Sequence, residues 1–176
     1  GRQYLERWLW QAEGYWVTRY TGGAPTQRLV GMQRSANRAA RLVASQLRHR
    51  DKAVLTLQAL AYQRGQHVTG VPWLVHKGLT NLPGLRWPEW QLRTRWLLAF
   101  ADADISRAIE ADWWRHQEVT ALTPLVNTQR LMLTVAQAWR RQLLAAGYLV
   151  QTEAGWRWTR PLPWYPDLTH KLAAAD

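Results

Sequence analysis

The chain has 176 residues, with 23 Lys or Arg against 12 Asp or Glu, a formal net charge of +11 and a pI near 11.0. That balance favours polyanionic partners: nucleic acid, anionic lipid or acidic protein segments. The absence of cysteine excludes disulfides and thiolate zinc sites, and no apolar run approaches the ~20 residues of a membrane span.

Only Lys52, Lys77 and Lys171 interrupt an otherwise all-arginine basic set. Arginine forks onto phosphate or carboxylate and stacks on rings, although a GC-rich coding sequence produces the same bias. Thirteen tryptophans stand beside a single phenylalanine, Phe100, so most of them are expected in the core. The composition fits a cytoplasmic protein. A chain that opens on Gly1 rather than Met is expected to be an excised fragment with a tag scar, and a flanking membrane segment would lie outside it.

Residues 3 to 20 read as an amphipathic helix with Tyr4, Trp8, Ala12 and Tyr15 near one face. Thr21 to Pro25 reads as a turn or hinge. A long helix is predicted from 26 to about 49, with Ala36, Ala40, Val43 and Leu47 as its apolar stripe. Asp51 is placed to cap a continuation carrying Val54, Leu57, Leu60 and Ala61, which ends near Gly65. Glycines and prolines make residues 65 to 88 irregular, and Pro88 opens a helix through Trp90, Arg93, Trp96, Leu97 and Phe100. The spacing of Trp90, Trp96, Leu97 and Phe100 predicts core packing rather than base stacking by the Trp–Arg run at 86 to 96.

From residue 104 the pattern is three helices and a hairpin. Asp104 is read as the cap of a helix through Ile105, Ile109, Trp113 and His116, Thr123-Pro124 as a second start, and Thr134 as the cap of a third helix. Gly147 sits where a left-handed C-terminal residue is wanted. Two β-prone runs around Ala154-Gly155 then form a hairpin closed by Pro161. On the third helix Val135, Trp139, Leu143 and Ala146 share one face, and Thr134, Gln137, Ala138, Arg141 and Ala145 the opposite one. Trp156 and Trp158 share one face of the hairpin and are expected to cap the core, with Arg157 on the other.

This order, and the run from Thr134 to Val150 in particular, resembles a winged-helix domain. The resemblance implies a recognition helix that presents Thr134, Gln137 and Arg141 to a groove, where Gln and Arg pair with adenine and guanine edges. It also implies a wing whose Arg157 and Arg160 meet phosphates. It covers about a third of the chain and carries no catalytic motif.

Charge is segregated. Residues 14 to 88 hold eleven basic side chains against Asp51 alone, whereas residues 102 to 118 hold five acidic against Arg107 and Arg115. The acidic helix is expected to dock on the basic part, within or between molecules. On a continuous wheel Arg34, Arg38, Arg41, Arg48 and Lys52 fall within about 80°. Like charges in one row repel, so an anionic partner explains the stripe better than a solvated face does.

Enzymatic patterns are weak. The five histidines lack metal-ligand spacing, Asp112 with His116 reads as a surface ion pair, and Asp102 with Asp104 reads as turn and cap. No phosphate-binding glycine loop or nucleophile elbow is present. The expected fold is therefore mainly α, with a helical basic part at 1–101 and a winged-helix-like part at 102–176 that adds one β-hairpin. The expected function is a non-enzymatic, cofactor-free nucleic-acid-binding or nucleoprotein-assembly module in the style of bacterial or mobile-element proteins, with DNA as ligand. The other readings are a cytoplasmic adaptor of a secretion- or conjugation-type machine that binds acidic protein segments, a peripheral membrane module, and self-association.

Overall fold

The computed structural model describes residues 25–80, 88–101, 103–117 and 128–174, with backbone alone at 25–33 and 128. The predicted helix at 3 to 20 and the Thr123-Pro124 start lie outside these residues, as does Asp102.

Helix α1 (Pro25–Arg48) buries Ala36, Ala40 and Val43 of the predicted stripe and leaves Leu47 half-buried against the core, because those positions recur at helical spacing. It ends where Arg50 turns to φ 56°. Asp51 then accepts from Val54 N at 3.0 Å and starts α2 (Lys52–Tyr62). This break corrects one expectation. Lys52 does not continue the α1 wheel, because the chain reverses its backbone conformation at Arg50 and begins a new helix.

Two short 3-10 turns follow, Val68–Gly70 and Trp73–His76. The Gln58 amide oxygen pins the first by accepting from Val68 N at 3.1 Å. Pro88 then leads into α3 (Glu89–Phe100). All but two of its twelve residues are buried, so it is the central helix rather than an amphipathic one.

The next element differs from the sequence expectation. Ile105–Ser106 form a strand, β1, and α4 runs Arg107–Arg115, so Asp104 caps nothing and remains exposed. The cause is tertiary: Ile105 pairs with Trp156 and Ser106 with Gly155 across the sheet. Helix α5 spans Thr128–Ala145 and places Thr134 in its interior, where the hydroxyl donates to Arg130 O at 3.0 Å. The predicted cap at Thr134 is thus an ordinary mid-helix threonine bonded back one turn.

Gly147 (φ 69°) ends α5, a region that costs other residues a Cβ clash. Strands β2 (Leu149–Gln151) and β3 (Gly155–Trp158) form the predicted hairpin. Strand β3 lies between β1 and β2, so the sheet is antiparallel and three-stranded. Gly155 is required here, since a Cβ would lie 1.9 Å from Ile105 O. The chain closes with α6 (Leu168–Ala173), capped by Asp167.

The fold is therefore mainly α with a small sheet. One core cluster runs from Val43, Val54 and Leu57 through Trp96 to Trp139, Leu143 and Leu149. Side chains on both sides of residue 101 share it. Trp96 is its centre: its ring meets Trp139 at 6.2 Å and Trp158 at 5.9 Å, and its N–H donates to Glu110 at 3.0 Å. Trp90, Trp96, Leu97 and Phe100 are all buried, as their spacing predicted.

Candidate nucleic-acid interface

Helix α5 is oriented by its inner face. Val135, Trp139 and Leu143 are fully buried, with Met132 and Ala136 beside them. The opposite face is therefore turned outward: Arg130, Leu133, Gln137, Arg141 and Ala145 are exposed, and Thr134 and Ala138 half-buried. Arg141 Nε reaches its own helix at Gln137 O at 3.4 Å, the limit of a hydrogen bond. Arg130 was not among the sequence candidates. It lies one turn before Thr134 on the same face, outside a helix that the capping pattern begins at Thr134.

The outer face is held rigid from behind. Glu110, fully buried on α4, accepts the indole N–H of Trp96 and Trp114 (3.0 and 3.1 Å) on one oxygen and Arg140 at 2.6 Å on the other. Arg140 in turn lies over the Trp156 ring at 4.6 Å. A carboxylate buried without its partners would be costly, so this set fixes α4, α5 and β3 relative to one another. In sequence Glu110 belongs to the acidic stretch expected to dock on the basic part. Its i,i+4 spacing to Trp114 was the available signal.

A second buried set fixes α5 to α3. Arg93, with no exposed surface, donates to Glu89 (2.6 Å), Gln142 (2.7 Å), Lys77 O (2.8 Å) and Gly78 O (3.0 Å), and stacks on Trp139 at 4.9 Å. Burial pulls its pKa below the ordinary value, and the Glu89 charge and hydrogen bond pull it back.

On the hairpin, Arg157 is exposed and sits opposite Val150 in the register. Arg160 is also exposed but committed: it donates to Ala146 O at 3.1 Å and covers the Tyr148 ring at 4.5 Å. It ties the end of α5 to the hairpin, which leaves Arg157 as the hairpin's outward cation. Trp158 faces inward as expected, donating to Phe100 O at 2.8 Å.

On α1, Arg34, Arg38, Arg41 and Arg48 are all exposed, on the side away from Ala36, Ala40 and Val43. Lys52 is exposed at the start of α2. The α1 and α5 faces stand on separate supports, α1 packing on α2, the 3-10 turns and α6, and α5 on α4 and β2. Asp112 and His116 form the expected exposed pair at 3.4 Å. Among the described residues no three His, Asp or Glu side chains are placed to hold a metal, and no helix is long and apolar enough to cross a membrane. No family model matches the chain, and neither a curated protein nor a solved structure matches it.

Proposed function

We propose that the chain is a non-enzymatic, cytoplasmic nucleic-acid-binding or nucleoprotein-assembly module whose C-terminal part is a winged-helix-like reader. The observation that carries this is the outer face of α5, which exposes Arg130, Gln137 and Arg141 and is followed directly by a hairpin whose outward cation is Arg157. The element order α3–β1–α4–α5–β2–β3, with β3 between β1 and β2, supports the resemblance to winged-helix domains. In this reading Gln137 and Arg141, with Arg130, enter a groove of duplex DNA and pair with base edges. Arg157 meets the backbone. Arg34, Arg38, Arg41 and Arg48 hold phosphates electrostatically.

The test is fluorescence anisotropy of labelled duplex and single-stranded DNA at low and near-physiological salt, with a Glu-rich peptide of matched charge alongside. Replacing Gln137 and Arg141 by Ala lowers the preference among sequences by about 1–3 kcal/mol per lost base contact. Replacing Arg38 and Arg41 lowers the slope of log affinity on log salt by about 2. A peptide that binds as tightly as duplex, or a preference untouched by the α5 variants, replaces this reading with the acidic-segment adaptor.

A further inference from the structure

The last described segment, residues 161–173, crosses back to the N-terminal half and lies on α1. Trp164 donates its indole N–H to His67 O at 2.9 Å, and Tyr165 N donates to Gly70 O at 2.8 Å. Tyr165, Leu168 and Leu172 cover Ala36, Ala40 and Trp73 in a small cluster separate from the main core. Trp73 donates to Lys171 O at 2.9 Å. Two buried polar groups at this contact lack a hydrogen-bond partner among the described residues, the His76 ring and the Lys171 amine. The Lys171 side chain is fully buried, its Nζ lies over the Trp73 ring at 4.7 Å, and it has no hydrogen-bond partner among the described residues.

The neighbours offer that amine no anion. On the adjoining 3-10 turn His76 is buried with neither ring nitrogen bonded, and burial first, then the Lys171 and Arg93 charges, push it toward the neutral form. Arg93 is spent on Glu89. His67 is engaged with Thr69 at 2.8 Å. On α1 the charged side chains Arg34, Arg38 and Arg41 are exposed on the far side. On α6 itself Asp167 and His170 pair with each other at 2.9 Å in solvent.

We propose that residues 161–173 form a pH-responsive strap on α1, latched when the Lys171 amine is neutral and loosened when it is protonated. A buried ammonium over one indole, with no acceptor and an imidazole nearby, costs far more than a buried amine. Burial accordingly draws the Lys171 pKa down to about 7 from its ordinary 10.5. The released strap binds more protons than the docked one between those values, so docking strengthens about tenfold per pH unit as pH rises through that window and levels off below about 7. The strap covers the inner side of the helix whose outer side carries the arginine row, and this inference stands whatever that row binds.

The experiment is amide hydrogen exchange of the full chain read by mass spectrometry on peptides covering 161–173, corrected for intrinsic rates, at pH 6.0 and 8.5. Strap protection is expected to be about thirtyfold lower at pH 6.0, with peptides of α5 unchanged. In Lys171→Met the strap stays protected at both pH values. In Lys171→Arg, which carries a permanent charge, it is weakly protected at both. Equal protection of the unaltered strap at the two pH values, or a pH response in Lys171→Met as large as in the unaltered chain, overturns the proposal.

Discussion

Replacing Arg93 by Met removes the guanidinium that joins three elements while keeping most of its stem. Five hydrogen bonds of 2.6–3.0 Å disappear, two to Glu89 and one each to Gln142, Lys77 O and Gly78 O. Lys77 O keeps a partner, the Gln142 amide at 2.8 Å, and Glu89 keeps the Thr80 N–H and hydroxyl at 2.7 Å each. Gly78 O loses its bond, and the Glu89 charge loses its counter-ion inside a site of 4% side-chain exposure. Breaking one side of such a pair costs about 3–5 kcal/mol, chiefly the penalty of the orphaned charge. Urea unfolding followed by tryptophan fluorescence measures it. Adding Glu89→Gln to Arg93→Met removes the orphan, so the double variant is expected to be more stable than the sum of the single losses by about 2 kcal/mol or more. A loss below about 1 kcal/mol for Arg93→Met, or strict additivity in the cycle, refutes the view that this pair clamps α3 to α5.

Glu110→Gln leaves one acceptor oxygen for either Arg140 or the two indoles, sets its NH2 donor against the other, and is expected to cost about 3 kcal/mol in the same assay. Gly147→Ala meets no atom within 4 Å but must hold φ 69°, so a loss of about 1 kcal/mol without change in the far-ultraviolet spectrum is expected. Asp51→Ala removes the cap on Val54 N and is expected to lower the urea midpoint by the equivalent of about 1 kcal/mol. His76 is held neutral, with its pKa well below the ordinary 6.5, first by burial and then by the Lys171 and Arg93 charges. The unfolded chain therefore takes up its proton first, and stability falls as pH drops below about 6.5. Urea midpoints at pH 7.5 and 5.0 are expected to converge in His76→Leu.

What the sequence determined is the set of features that local chemistry controls. The α1 stripe, the Asp51 cap, the Pro88 start, the left-handed Gly147 and the Ala154-Gly155 hairpin follow from periodicity, capping and turn residues, and each is in place. On α5 the predicted inner residues Val135, Trp139 and Leu143 are buried and the predicted outer residues Gln137, Arg141 and Ala145 exposed, while Leu133 is an apolar side chain left on the outer side. What the tertiary structure decided depends on partners far along the chain. Ile105 and Ser106 are a strand because β3 arrives some fifty residues later to bond them. Arg93, Glu110 and Lys171 look in sequence like solvated surface charges, the usual lot of their residue types. Only packing shows the first two to be enclosed and paired, and the third enclosed and unpaired. Arg160 likewise reads as a free cation until the Tyr148 ring and the Ala146 carbonyl are seen beneath it. Periodicity reports which side of an element is apolar. It carries no record of which distant group a buried charge will meet, and here such meetings, Arg93 with Glu89 and Arg140 with Glu110, hold α5 in place.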